Sequence, residues 1–444
     1  MPVRGPLRIA WLGGGPAEAG SAPGVVTELL DGLTSRGHEI DCFLPGTPRN
    51  IPERLRDREN LTFIGGTSSW RYDRWYSKTR IASFASGLLA RALGSLRLRR
   101  EIVKRHSQRP YDLVFQNQQI ESLGVPASLI RSIPLVVRPD THQAGELRWL
   151  IRERRLAFSS QPAHTFFIVA AIMAFRALVQ AIRIRKVDLL ICISGVFRDH
   201  MVHDYRFPIE KTTVVTNPLR FERFHSSERP LADPPLALVP TRVSVRKGLE
   251  DLAPLARLLL ERGIDVRLRI IGGPSNWSDY TRVLDDLPPE NSEYAGRIPN
   301  REMPQELERA DIVLVPSRYE PCGMSVLESL ASGVPVIATT EVGAIEAIDR
   351  SIAAVVAIGD VEAMADEITQ MLARLRSDPA ELRRLARTEA ERRFAGDVVC
   401  KQISDALEAL VERSRTGTVR SRPGPPGHAP TTEPAEAAAR PAAH

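Results

Sequence analysis

Two glutamates near the C-terminal end of the chain have the spacing to bind a ligand rich in hydroxyl groups. Glu320 lies in a polar loop after the apolar stretch 311–315, and Glu328 follows after seven further residues, in a predicted helix from near Gly323 to Gly333. Carboxylates accept hydrogen bonds from neutral hydroxyls, such as those of a sugar or a ribose. The free N–H groups at the start of the helix favour a phosphate. The alternative is a helix with one solvated and one capping glutamate, but the surrounding Pro-Ser, Pro-Cys-Gly and Gly-x-Pro-x-Ile argue against a chance pairing.

A second group of charged residues opens the second half of the chain. Arg242 and Lys247 lie between a predicted strand and the predicted helix 249–262. Two cations in such a loop can neutralise a diphosphate and the charge that develops on it as a leaving group. A solvated basic loop is the alternative, and the two residues alone do not decide between them.

The first half begins with a glycine-rich loop after a predicted strand. Gly13 and Gly15 supply two of the three glycines of a dinucleotide-binding fingerprint, but Glu18 stands where the third is needed. Pro23 and Gly24 are expected to delay the following helix to Val25. These departures argue against a dinucleotide site.

One histidine of the first half follows a predicted strand that ends at Arg138. His142 lies in the sequence Arg-Pro-Asp-Thr-His, with Asp140 two residues before it. A lone histidine in such a loop is more often structural or solvated than functional. Either residue remains a candidate for the cleft.

Short apolar strands alternate with helical segments along the chain, six in the first half and five in the second. This alternation predicts an α/β protein with parallel sheets covered by helices on both faces. We expect two doubly wound domains whose ligand-binding edges face one cleft. The predicted divisions are an N-terminal domain 1–216, a linker 217–235, a C-terminal domain 236–395, a helix 396–412 that returns to the N-terminal domain, and a disordered tail 413–444.

The amino-acid composition limits which binding partners and which cellular compartment we expect for the protein. The 444 residues carry a formal net charge of +6, which indicates an anionic partner without choosing its kind, and no nucleic-acid-binding pattern appears. The four cysteines have no disulfide or metal-ligand spacing, and the N-terminus has no signal-peptide pattern. We therefore expect a cytoplasmic protein.

Together these motifs resemble the retaining glycosyltransferases of family four, glycosyl transferases group 1, which have the GT-B fold of two Rossmann-like domains facing a cleft. The resemblance spans most of residues 5–400 and is densest from 240 to 345. It implies transfer of a hexose from a UDP-, GDP- or ADP-sugar to a hydroxyl acceptor, as in bacterial polysaccharide or glycolipid synthesis, without a metal or a separate cofactor. Two alternatives stay open, a nucleotide-sugar 2-epimerase of the same fold and a non-catalytic nucleotide-sugar-binding or scaffold protein.

The resemblance also implies roles for particular residues. Arg242 and Lys247 hold the diphosphate, Glu320 orients the sugar hydroxyls, and Glu328 binds the ribose. His142 reaches the donor sugar from the opposite domain, with Asp140 in reserve. The remaining donor contacts are expected at Gly13, Gly24, Arg297, Ile298, Cys322, Gly323, Met324 and Ser325.

Two basic amphipathic stretches belong to the first half, 80–105 and 164–186. The second contains a ten-residue apolar run, 166–175, which is too short to span a bilayer. A domain helix with a charged solvent face is one interpretation. The other is that the N-terminal domain touches an anionic membrane at its cytoplasmic face, near a membrane-bound acceptor.

Overall fold

The structure is a computed structural model that describes residues 5–18, 21–46, 48, 50–66, 80–118, 125–274 and 279–416. Two parallel sheets organise this part of the chain, which confirms the predicted α/β class. The predicted tail 413–444 begins too early, because the last helix continues to Arg415; from 417 onward the tail lies outside the described residues.

The first sheet has seven strands in the order β3-β2-β1-β4-β5-β6-β7, all parallel. They are β1 (Arg8–Leu12), β2 (Glu39–Leu44), β3 (Leu61–Gly65), β4 (Leu113–Gln118), β5 (Leu135–Pro139), β6 (Leu189–Cys192) and β7 (Thr212–Val214). The central strands are apolar on both sides, because helices cover both faces of the sheet. These helices are α1 (Ser21–Ser35), α2 (Glu53–Arg56), α3 (Arg80–Gln108), α4 (Ala127–Ser132), α5 (Gln143–Arg152), α6 (Arg154–Ser160), α7 (Ala163–Arg183) and α8 (Gly195–Tyr205).

The second sheet has six parallel strands in the order β10-β9-β8-β11-β12-β13, the strand order of a Rossmann domain. They are β8 (Leu236–Pro240), β9 (Arg267–Ile271), β10 (Ser292–Gly296), β11 (Ile312–Val315), β12 (Val336–Thr339) and β13 (Ala353–Val356). The helices of this half are α9 (Leu252–Glu261), α10 (Met303–Arg309), α11 (Met324–Ala331), α12 (Val361–Ser377), α13 (Pro379–Phe394) and α14 (Gly396–Arg415).

The last helix, α14, leaves the second domain and packs on α1 of the first. Its apolar side, including Val399, Ile403 and Leu407, joins the core cluster that contains Leu29 and Leu30. Polar groups support the contact, because Nε2 of His38 lies 2.6 Å from Oγ of Ser404 in a buried position. The chain thus crosses between the domains twice, once near Leu219 and once near Ala395, where the two segments form a β-bridge.

The start of α1 differs from the prediction. The helix begins at Ser21, so Pro23 and Gly24 lie in its first turn and do not delay it. The first N–H groups of a helix have no partner within the helix, and proline in the first turn therefore removes no hydrogen bond. The predicted start at Val25 was wrong by one helical turn.

Close packing of α14 on α1 predicts that Gly32 cannot gain a side chain. A Cβ atom there would lie 2.4 Å from Sγ of Cys400, which forces the helices apart. We expect Gly32→Ala to destabilise the protein by about 1–3 kcal/mol, measured by urea unfolding.

The matched control is Gly24→Ala in the same helix, where an added Cβ meets nothing within 4 Å. This variant should be as stable as the wild type or more stable, because alanine favours a helix over glycine. Equal stability of the two variants would show that α1 and α14 are not in tight contact.

Candidate active site

The loops that follow β8, β9, β10 and β11 end at the same edge of the second sheet. Arg242 follows β8, Arg297 follows β10, and Glu320 follows β11. The loops after β5 and β6 begin at the corresponding edge of the first sheet. They contact the second domain directly, since Oγ of Ser194 donates a hydrogen bond to the carbonyl oxygen of Pro321 at 2.7 Å. The carboxyl ends of both sheets therefore face one cleft, where parallel α/β domains bind their ligands.

Glu320 lies at the centre of a cluster of cations. The Nζ group of Lys247 forms an ion pair with its carboxylate, and Nη1 of Arg246 lies 3.6 Å from the same oxygen. Burial raises the pKa of Glu320, but Lys247 and Arg246 lower it by more, so the net pKa falls below the ordinary value. Burial also lowers the pKa of Lys247, against the pull of Glu320. Glu320 is therefore an ionised acceptor in a partly dry setting.

A glycine brings this cation loop against the Glu320 loop. Gly248 has φ of +66°, and a Cβ atom there would lie 2.0 Å from the carbonyl oxygen of Pro316. Only glycine fits this approach at that backbone angle. The Lys-Gly pair of the sequence thus has a physical reason, since the glycine lets Lys247 reach Glu320. Arg242 lies on the exposed side of the same loop.

The start of α11 supplies backbone donors beside Glu320. Gly323 has φ of +93° and precedes the first residue of the helix, and no side chain of the described residues caps its free N–H groups. Met324 and Ser325, in the first turn, are half-buried. The Cys322 side chain is buried, and burial raises the pKa of its thiol to about 11. Any contact of Cys322 with a ligand would therefore come from its backbone.

Glu328 lies on α11 in a different environment from Glu320. Burial raises the pKa of its carboxyl to about 7, and Arg223 opposes the rise only in part. Within the described residues its carboxyl oxygens have no hydrogen bond and no ion pair, although the side chain is half-buried. Such a carboxyl can accept hydrogen bonds from the hydroxyl groups of a ligand.

His142 bridges the two domains. Its Nδ1 lies 2.9 Å from the hydroxyl of Tyr319, and its Nε2 lies 3.1 Å from Asp204, at an angle outside that of a good hydrogen bond. The ring is fully buried, and burial lowers its pKa against the opposing effect of Asp204, so the imidazole is neutral near neutral pH. A direct contact between His142 and a donor sugar would require Tyr319 to move, and that role stays a prediction.

The other predicted residues lie along the two sheet edges. Gly13 follows β1, and a Cβ atom on it would lie 2.9 Å from the carbonyl oxygen of Asn117. Gly24 borders open space in the first turn of α1, and Asp140 is half-buried after β5. Arg297 is exposed after β10, and Ile298 packs partly against the core.

The sequence interpretation missed the residues that hold the domains together. Glu153 accepts the backbone N–H of Arg246 at 2.7 Å, and Glu146 lies 3.3 Å from the guanidinium of Arg246. Arg246 also donates to the carbonyl of Tyr319 at 2.8 Å. Glu153 and Glu146 belong to the first domain and Arg246 to the second, so no local spacing in the sequence predicts these contacts. The basic character of the loop was the only available signal.

Two family models divide the chain between them. Residues 24–223 match the model described as Glycosyltransferase Family 4, and residues 221–392 match the one described as Glycosyl transferases group 1. The chain belongs to glycosyltransferase family 4. The resemblance inferred from the motifs, and with it the GT-B fold, is confirmed.

Two curated relatives and a solved structure resemble this chain over much of its length. A glycogen synthase of Mycobacterium tuberculosis is 26% identical over 59% of this chain, and the match spans 62% of that protein, less than two thirds of its length. The MMP alpha-(1->4)-mannosyltransferase of Mycolicibacterium hassiacum is 24% identical over 87% of this chain and 94% of its own. The Anabaena protein HepE, solved in complex with UDP and glucose, is 17% identical with a TM-score of 0.60, covering 91% of this chain and 100% of its own.

The buried carboxyl between the domains predicts a pH dependence of stability. Burial raises the pKa of Glu153 to about 7, while the N–H of Arg246 opposes the rise. Between the ordinary carboxyl pKa and about 7, the folded protein keeps a proton that the unfolded chain has released, so this group makes stability fall as pH rises. Glu153→Gln should remove this group's contribution to the fall in the free energy of unfolding, which is about 1–3 kcal/mol.

The measurement is the melting temperature at about pH 5 and about pH 7.5, for the wild type and Glu153→Gln. Exposed Glu290→Gln is the matched control and should follow the wild type. If Glu153→Gln also loses as much stability as the wild type between the two pH values, the carboxyl is not buried between the domains.

Proposed function

We propose that this family 4 member is a retaining glycosyltransferase that moves a hexose from a nucleoside diphosphate sugar to a hydroxyl acceptor. The observation that carries the proposal is the convergence of Lys247, Arg242 and Glu320 at the carboxyl edge of the second sheet, beside the uncapped start of α11. Cations and free N–H groups there suit a diphosphate, and the carboxylates suit sugar hydroxyls.

The ion pair between Lys247 and Glu320 has a use in donor binding. When a diphosphate enters, Lys247 and Arg242 can turn toward its negative charge, which frees Glu320 to accept hydrogen bonds from the sugar. Arg246 stays 3.6 Å from Glu320 and helps to keep it ionised. Glu328, with no partner among the described residues, accepts hydrogen bonds from the ribose hydroxyls.

The transfer step follows from these positions. The bond between the anomeric carbon and the diphosphate oxygen breaks, and the acceptor oxygen bonds to the same carbon on the same face. The acceptor proton goes to the departing diphosphate. Lys247, Arg242 and the N-terminus of α11 stabilise the charge that develops on that leaving group.

The donor class rests on both chemistry and relatives. The solved complex of HepE contains UDP and glucose, and one relative is named a mannosyltransferase. The segment at Arg297 and Ile298 would meet the nucleobase mainly through its backbone, so a UDP-, GDP- or ADP-hexose fits equally. Acceptors in the hydroxyl class include glycans and glycolipids, and we place the reaction in the cytoplasm.

Donor binding should stabilise the folded protein selectively. At a concentration about 100 times its dissociation constant, one of UDP, GDP, ADP or their hexose conjugates should add about 2.7 kcal/mol of stability. The measurement is a thermal-shift screen of the wild type, Lys247→Ala and Glu328→Gln. Both variants should lose most of the shift, because one removes a diphosphate cation and the other removes the carboxylate charge and replaces one of its two acceptor oxygens with an NH2 donor.

Lys211→Ala, which removes an exposed lysine of the first domain, is the matched control and should keep the shift. A cooperative melt with no shift for any nucleotide would remove the donor proposal. If Glu328→Gln keeps the full thermal shift, only the proposed ribose-binding role of Glu328 is contradicted.

Catalysis should depend on Glu320 and not on a divalent metal. We expect Glu320→Gln to lower kcat by about 100-fold or more, the scale of losing one preorganised polar group at the reacting centre, with donor binding less affected. The wild type should remain active in excess chelator and should retain the anomeric configuration, read by proton NMR of the product. A strict magnesium requirement or an inverted product contradicts the mechanism, and isomerised free nucleotide sugar without an acceptor would indicate a 2-epimerase.

A further inference from the structure

One side of α7 is apolar and faces solvent. Phe167 is 62% exposed, Phe175 64%, Leu178 60% and Ile182 55%. Their spacing of 8, 3 and 4 residues keeps them on one stripe of the helix. The neighbouring Phe158 of α6, which is 44% exposed, lies 6.2 Å from the Phe167 ring and extends this apolar surface. We name these five residues the α7 surface.

Positive charge lies at both ends of the α7 surface. From residue 154 to residue 187 the chain contains no aspartate or glutamate and six arginines or lysines. Arg154 and Arg155 are exposed before the N-terminal end of α7, and Arg185 and Lys186 are exposed just after its C-terminal end. Cations therefore flank the apolar stripe at both ends.

The helix cannot cross a bilayer by itself in this fold. With the following turn it extends over Ala163–Lys186, 24 residues, and by length and composition it is able to span a membrane, with only 11% of its most apolar window buried. The run 166–175 is thus part of a longer apolar helix, because apolar residues continue beyond Arg176. However, β5 and β6 on either side of α7 pair directly, Val136 with Leu189, so both ends must stay on one side of any membrane.

A second helix of the first domain presents a similar face. The inner residues Leu98 and Ile102 of α3 are buried in the core. The outer side of α3 exposes Leu89, Leu93 and Leu96, together with Arg100 and Lys104. Each of the two helices thus exposes apolar and basic groups on its outer side.

We propose that the α7 surface docks on an anionic lipid bilayer, with the helix lying in the plane of the headgroups. The apolar side chains enter the acyl boundary, and the arginines and lysines at both ends of the helix bind lipid phosphates. A second copy of the chain fits the α7 surface less well than a bilayer does. In a two-fold antiparallel pairing of α7 helices, Arg154 and Arg155 of one copy would meet Arg185 and Lys186 of the other, with no acidic residue in the segment to neutralise them.

The test is flotation of the full-length protein with vesicles of phosphatidylcholine alone or mixed with phosphatidylglycerol. We expect binding to the mixed vesicles and little to the neutral ones, and weaker binding at high salt. The double substitution Phe175→Glu and Leu178→Glu should lower binding by about tenfold or more, because it places two charges in the apolar stripe.

Leu260→Glu is the matched control, since Leu260 is 42% exposed on α9 of the second domain. It should bind as the wild type does, and all variants should keep the wild-type melting temperature and nucleotide-induced thermal shift. That shift is independent of lipid, so failure of this proposal and failure of the proposed activity are distinguishable.

Two results would overturn the proposal. One is a wild type that stays unbound to the mixed vesicles at low salt. The other is a wild-type dimer in solution that the Phe175→Glu and Leu178→Glu protein converts to a monomer, which would assign the α7 surface to self-association.

Discussion

Arg246 connects the two domains, and the candidate site depends on its contacts. Its backbone N–H is held by Glu153 and its guanidinium lies near Glu146, both from the first domain. The same side chain donates to the carbonyl of Tyr319 and lies near Glu320 in the second domain. The residue adopts φ of +64°, which is uncommon for a residue with a side chain. Opposing carboxylates on two domains thus stabilise a cation next to the group proposed to orient the sugar.

The net pKa differs among the three carboxyls that face the cleft. Glu320 lies between Lys247 and Arg246, and its pKa falls despite burial. At Glu328 and Glu153 the nearby cations offset the effect of burial only in part, and the pKa of each rises to about 7. One cleft therefore contains an ionised carboxylate and two that titrate near neutral pH. The difference comes from the number of nearby cations, since burial raises the pKa of all three.

The two faces of the first sheet have different neighbours. On one face, α14 arrives from the second domain and covers α1, so the end of the chain links the domains mechanically. The other face belongs to a separate core cluster, which includes Ala10 and Val114. In the same domain, α3 and α7 leave apolar side chains toward solvent. The cleft lies at a third position, along the carboxyl edge. Donor binding and the proposed bilayer contact therefore use separate parts of the domain pair.

The sequence by itself determined the fold class, the family and the local motifs around Lys247, Glu320 and Glu328, because each motif is contiguous and each central strand is strongly apolar. It missed β3 and β10, which are short, partly polar strands at the edges of their sheets, where only one side needs burial. Only the tertiary structure decided that His142 is enclosed against Tyr319 and that Glu153 holds Arg246. Those partners are 177 and 93 residues apart. Parallel sheets bring such distant strand ends to one edge, and the packing of one domain on the other selects which side chains meet.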